Sequence, residues 1–188
     1  MSEWTEKRKG KISASNVAAI LGLKPFGKTP IDTWKQIMGY GEDRVSTEAQ
    51  EMGKKMEDVI ATLYADIVEK ATSIRPAFVV RDNPDDPIQH PQLSWLCGTP
   101  DRLIVGQKKG IEIKNVGLQM LRGWGAAGTD EIPDYYLIQA IMYMSIMQYP
   151  SWDVVACLAG GYPTVYTLKR DEAFEMDILK KLEDWYIK

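Results

Sequence analysis

The sequence predicts an α/β domain in which a central mixed sheet is flanked by helices. Three observations lead there. Apolar residues Met52, Met56, Val59, Ile60, Leu63 and Ile67 recur at helical spacing, which marks a long amphipathic helix over residues 47–70. Residues 102–105 and 110–115 are β-rich runs joined by a turn with glycine at both ends, Gly106 and Gly110. Residues 133–148 then form an almost wholly apolar helix, followed by strands at 154–159 and 164–168. Helix, strands, helix, strands and helix in that order fit a sheet covered by helices.

The remaining elements fill in around these. Residues 13–21 read as a short helix, with Ser13 or Ser15 as N-cap and Gly22 as its stop. Pro30 suits the first turn of a second helix through Met38, ended by Gly39 and Gly41. A short β-rich run at 77–81 is followed by the turn-forming stretch 82–87. A glycine-rich stretch, 117–128, precedes the apolar helix that Pro133 opens. Gly160, Gly161, Tyr162 and Pro163 turn the last two strands back on each other, and Asp171 caps the closing helix. No repeat or linker divides the chain, so residues 1–188 are expected to form one domain.

Of the 188 residues 45% are hydrophobic and 26% charged, enough to bury one substantial core without staples. No run of about 18 apolar residues is present, which speaks against a membrane span. The opening residues through Lys11 lack the apolar core of a secretory signal, and a cytoplasmic address is expected. Cys97 and Cys157 are too few for a disulfide framework or a four-thiolate site and read as buried small hydrophobes. The net charge of −3 argues against a protein that coats nucleic acid indiscriminately, but not against a DNA enzyme whose carboxylates offset basic residues. Positive charge clusters at Lys7, Arg8, Lys9 and Lys11, at Lys54 and Lys55, and at Lys108 and Lys109; solvated faces are the ordinary explanation of such clusters. His90 is the only histidine, in a loop before Pro91, so neither a histidine base nor a multi-histidine zinc site is expected.

The chemistry concentrates in Gly98, Thr99, Pro100, Asp101 and Arg102, followed by Ile111, Glu112, Ile113 and Lys114. Asp101 sits at the mouth of one predicted strand. Glu112 and Lys114 are two apart on the next and share a face, while Ile111 and Ile113 point into the core. Converging carboxylates suit Mg²⁺ or Mn²⁺, which polarise a phosphate and acidify a water while a lysine positions that water or offsets negative charge. A Glu and a Lys two apart on a strand are commonly a surface salt bridge; the Pro-Asp pair on the adjoining strand weighs against that here. Glu57 falls at the edge of the long helix's apolar stripe, about 100° from Met56. It can lean over the sheet there, or pair on the surface. Gln139 is an amide in an apolar run, costly to bury without partners, and Tyr136 and Tyr143 share its face. These three read either as satisfied core groups or as a face that borders the site and touches DNA phosphate.

Pro100 and Asp101 with Glu112, Ile113 and Lys114 resemble the signature of PD-(D/E)XK nucleases. More narrowly, the chain resembles the YqaJ-type viral recombinases, the phage lambda exonuclease-like family. Residues 8–15 and 17–22 resemble that group's N-terminal motif, Glu57 its helix glutamate, and residues 133–143 the helix after the catalytic strand. The resemblance implies a restriction-endonuclease-like core and a Mg²⁺-dependent 5′→3′ exonuclease on double-stranded DNA ends, with Mn²⁺ as a substitute. It implies Asp101, Glu112 and the Ile113 backbone carbonyl as metal ligands, with Glu57 contributing directly or through water, and Lys114 assisting the attacking water. The basic residue, serine and glutamine that hold a terminal 5′-phosphate in such enzymes fall on Lys9, Ser15 and Gln139, with Arg8 and Tyr143 beside them. A ring-shaped trimer threaded by DNA, a single-strand annealing partner and a phage or prophage origin are implied as well. An endonuclease or structure-specific nuclease on the same fold is the alternative within the enzyme class. A DNA-binding module that no longer cuts is the alternative outside it, and carboxylates clustered near phosphate speak against it.

Overall fold

Two sheets organise the chain, of which the computed structural model describes residues 7–40 and 47–187. The smaller has the order β1-β3-β2, from β1 (Ile12–Ser13), β2 (Ile88–Gln89) and β3 (Leu96–Gly98). The larger runs β4 (Arg102–Leu103), β5 (Lys109–Val116), β6 (Ser151–Leu158) and β7 (Thr164–Lys169). The helices are α1 (Val17–Ile20), α2 (Pro30–Met38), α3 (Glu48–Thr72), α4 (Asp134–Met147) and α5 (Glu172–Ile187). Strands β5 and β6 are parallel and joined through α4, the kind of crossover a parallel pair requires. Strands β4 and β7 pair antiparallel on either side of them.

Strand alternation sorts the core into two layers. Ile111, Ile113, Val155 and Cys157 pack with Ile60 and Tyr64 of α3 on one face of the large sheet. Trp152, Val154 and Ala156 pack with α4, α1 and α5 on the other. Glu112, between the two isoleucines, therefore faces α4. Gly110 shares that face, and a Cβ there would lie 2.3 Å from the Trp152 indole; only a glycine lets this ring cover the start of β5.

The ends of α2 and the start of α5 fall where the sequence predicts. Thr29 and Asp32 close a capping box ahead of Pro30, and Gly39 ends α2 in the left-handed region; Gly41 lies outside the described residues. Asp171 Oδ1 accepts the Ala173 and Phe174 N–H groups at the start of α5. The long helix sits rotated from the predicted stripe. Its buried residues are Ile60, Ala61, Tyr64 and Ala65, while Met52 and Val59 are exposed. Alanines at 61 and 65 let the helix approach the sheet closely, and Glu57, three, four and seven residues before Ile60, Ala61 and Tyr64, lies on that packed side.

Two expectations are corrected. The helix expected over residues 13–21 begins as strand β1, followed by a 3₁₀ turn at Ala14–Asn16, and neither Ser13 nor Ser15 makes an N-cap bond. Ile12 and Ser13 are captured instead by parallel pairing with Leu96 and Cys97. The run 77–81 does not become a strand: only Phe78 bridges to Ile104, flanked by backbone bonds from Val79 to Leu103 and from Val105 to Ala77. Among the described residues no helix is long and apolar enough to cross a membrane.

Candidate functional site

The site forms where β4 gives out. Its ladder with β5 reaches Arg102 opposite Ile111, and one residue earlier the Asp101 carboxylate takes over, accepting the Ile113 N–H through Oδ2 at 2.6 Å. Ile113 thus enters the site through its backbone, as its side chain turns to α3. Glu112 is 2% exposed. Its Oε1 accepts both the Lys114 ammonium and the Gln139 amide, the latter at 2.6 Å. Its Oε2 is buried with no hydrogen-bond partner. A buried carboxylate oxygen left bare costs free energy unless a cation or proton meets it.

The charges agree with that geometry. Burial, then the neighbouring Asp101 charge, pushes Glu112 up to about 8. Burial also raises Asp101, against the pull of Lys114 and the Ile113 N–H. Glu57 is raised by burial and by Asp101. For Lys114, burial alone lowers the value, but Glu112 and Asp101 outweigh it and hold the ammonium above the usual lysine range. That ammonium also sits 5.0 Å from the centre of the Tyr136 ring. Burial outweighs the pull of Lys114, Arg102 and Lys54 on these three carboxyl groups, and the arrangement favours a further positive charge or a proton.

The three carboxyl groups open onto a cleft of about 840 Å³. Glu57, Asp101, Glu112, Gln139, Tyr143, Ser15 and Arg8 line it, so most of the sequence-predicted residues come together. Lys114 reaches it through Glu112 rather than lining it, and Lys9 is not on its wall. The turn before β1 exposes Lys9 and directs Arg8 inward, where its guanidinium donates to the Thr99 hydroxyl. A smaller recess of about 50 Å³ shares Arg8, Ser13 and Ser15 with the cleft and adds Lys11, Asn16 and Gln36. Ser15 is exposed, within reach of the Ser13 hydroxyl at 3.3 Å.

The expectation that Gln139 and Tyr143 touch phosphate meets a different geometry. Gln139 Nε2 gives its two hydrogens to Glu112 Oε1 and to the Tyr143 hydroxyl at 3.0 Å, and Tyr143 donates to the Thr99 carbonyl at 3.0 Å. Their donors serve the carboxylate rather than the open cleft. Lys54, Arg81 and Arg102 also line the cleft, and sequence reasoning missed them. Lys54 shows only as half of a charged pair, Arg81 ends a run without period, and Arg102 stands in the informative segment without a role of its own. His90 stands apart: its Nδ1 accepts the Gln92 and Leu93 N–H groups at 3.1 Å, a structural cap on a turn.

A hard divalent cation fits this donor set. Among the described residues no three carboxylate, imidazole or thiolate side chains form a ready-made cage. Mg²⁺ does not need one, since it binds through one or two carboxylates and keeps several waters. Glu112 Oε2 is a buried oxygen that the fold leaves without a hydrogen-bond partner.

The chain has likenesses among solved structures and in sequence. It superimposes on an alkaline exonuclease from Laribacter hongkongensis, LHK-Exo, with a TM-score of 0.73 over 98% of this chain and 90% of that one, at 18% identity. The same enzyme in complex with dAMP gives a TM-score of 0.72. A phage-related exonuclease from Haemophilus somnus 129PT gives 0.59 at 12% identity, over 94% of this chain and 91% of that one. The fold is therefore the PD-(D/E)XK-like one of these exonucleases. In sequence, 97% of the chain is 30% identical to the uncharacterized protein YqaJ of Bacillus subtilis strain 168, and it spans 54% of that relative's length. The profile of the YqaJ-like viral recombinase domain matches residues 3–150, the span that carries every site residue named above. The chain belongs to the YqaJ-like viral recombinase family.

Proposed function

We propose that the cleft is the active site of a divalent-metal-dependent deoxyribonuclease that degrades one strand of linear duplex DNA from its 5′ end, leaving 3′ overhangs for recombination by single-strand annealing. The observation that carries this is the buried, unpartnered Glu112 Oε2 beside Asp101 and Lys114 at the floor of an open cleft. Asp101, Glu112 and the Ile113 carbonyl would hold the ion, with Glu57 contributing directly or through water. Mg²⁺, or Mn²⁺ in its place, supplies Lewis acidity toward the scissile phosphate and toward water.

The chain's own residues do the rest. Lys114 is held protonated by its carboxylate neighbours. It therefore acts as a cation that orients the attacking water and offsets charge growing on the phosphate, and not as a base. Gln139 fixes the Glu112 carboxylate from the α4 side. Arg8 and Ser15 at the recess end receive the terminal 5′-phosphate, with Lys11 close by. Arg8 takes the place first assigned to Lys9, and its guanidinium offers the forked donor geometry a phosphate favours. Ring-shaped trimeric assembly, an annealing protein as partner, and a phage-encoded enzyme working in the bacterial cytoplasm complete the reading.

Glu112→Ala and Lys114→Ala test it. Each is expected to lower cleavage of linear duplex by a factor on the order of 10² or more, while DNA binding in a gel-shift assay persists. Wild-type cleavage in either variant would refute the assignment.

A further inference from the structure

The Tyr143 hydroxyl stands where two chains of hydrogen bonds meet. From one side it accepts an amide hydrogen of Gln139, whose other hydrogen goes to Glu112 Oε1. To the other side it donates to the Thr99 carbonyl, and the hydroxyl of that same Thr99 accepts from Arg8. Two residues further along the backbone is Asp101, bonded to the Ile113 N–H. One phenol thus links the basic end of the cleft to both carboxylates.

The surrounding packing leaves this group little freedom. Tyr143 is 3% exposed and stacks on Trp152 with ring centroids 5.2 Å apart. Gly98 makes room for the ring: a Cβ there would lie 2.9 Å from Tyr143 Cε1. Gly98 admits the ring, Thr99 bonds its hydroxyl and Arg8, and Asp101 supplies the carboxylate. An amide can turn over, and the phenol decides which way this one faces. With the phenol donating to Thr99, only the nitrogen of Gln139 can pair with it. A Gln139 turned over would set its oxygen against Glu112 Oε1, carbonyl against carboxylate.

We infer that Tyr143 is a positioning residue that couples recognition of a terminal phosphate at Arg8 to the orientation of Glu112, so that an end lacking its phosphate is cut slowly even when bound. This rests on the nuclease reading for its kinetic consequence, but the coupling can be read by binding alone. Coupling is reciprocal: what phosphate does for the cation, the cation does for phosphate.

The test is calorimetric titration of Mg²⁺ into the protein with and without inorganic phosphate, for wild type and Tyr143→Phe. Phenylalanine keeps the ring stacked on Trp152 and removes only the junction. In the wild type, phosphate is expected to tighten Mg²⁺ binding about fivefold or more. In Tyr143→Phe that factor is expected to fall to near one while each ligand still binds alone. On DNA, the variant should lose about tenfold in kcat on 5′-phosphorylated ends with KM little changed, and its preference over 5′-hydroxyl ends should shrink. Wild-type coupling in Tyr143→Phe, or no effect of phosphate on Mg²⁺ in the wild type, overturns the inference. So does an equal slowing on both kinds of end, which is what lost packing alone would give. Coupling in a protein that cuts no DNA would uphold the link and remove the nuclease reading.

Discussion

Taking the Glu112 carboxylate out of water beside Asp101 favours its protonated form, so the metal-free fold keeps a proton there that the unfolded chain releases. Its folded value of about 8 lies above its ordinary 4.5. The stability it contributes is therefore present in full below pH 4.5 and lost as pH climbs through about 8. Asp101 and Glu57, also raised, act in the same direction. His90 acts oppositely, because burial lowers it. Comparison with Glu112→Gln removes the His90 contribution. We expect the melting temperature of the metal-free wild type, relative to Glu112→Gln, to fall by roughly 5–10 °C between pH 5 and pH 8. Added Mg²⁺ should flatten that fall, because binding exchanges a proton for the cation. A relative melting temperature that rises over this range would contradict the burial argument. At this scale the sequence was informative about the carboxylates and less so about their neighbours. Glu112 and Lys114 are fixed by strand alternation, which a sequence displays, and Asp101 by its place one residue before β4. Whether Arg8 or Lys9 faces the cleft depends on a turn that captures Ile12 beside Leu96, a contact between residues 84 apart with no local signature.

Helix α3 brings Glu57 to the cleft, and its rotation is set by a polar bond inside the apolar layer. The Tyr64 hydroxyl donates to Asp153 Oδ2 at 2.8 Å, and Asp153 also accepts from Thr167 and pairs with Lys109. Tyr64 lies two turns beyond Glu57 on the same side of the helix. Tyr64→Phe removes one bond to a buried carboxylate and is expected to cost about 1.5–3 kcal/mol, read as a lower denaturant midpoint at unchanged m-value. An unchanged midpoint would mean that α3 is held by its apolar contacts alone. The element map was legible wherever a segment was long enough to show a period. Helices α3 and α4, strands β5, β6 and β7, the helix start at Pro30 and the cap at Asp171 fall close to where the pattern puts them. The two-residue strands β1 and β2 are too short to show alternation, and their pairing is decided by tertiary contact. The packed face of α3 departs from the predicted stripe because Ala61, Tyr64 and Ala65 pack beside Ile60, while Met52 and Val59 are exposed.

For the whole molecule, the net charge of −3 is compatible with DNA as substrate because charge is distributed unevenly. Arg8, Lys54, Arg81 and Arg102 line the cleft around the carboxylates on its floor. On the proposed reading these cations would face a polyanion and the carboxylates would hold the ion, with Arg102 and Lys54 paired to Asp58 and Asp85 of the same wall until DNA competes for them. The most direct measurement uses linear duplex DNA carrying either a 5′-phosphate or a 5′-hydroxyl on one labelled strand, with a covalently closed circle beside it, in Mg²⁺. The expected result is mononucleotides released from the phosphorylated strand, slower release from the hydroxyl strand, and an intact circle. A cut circle would contradict the end-directed reading, and no cleavage of any substrate with Mg²⁺ or Mn²⁺ would contradict the assignment of the cleft as a nuclease centre.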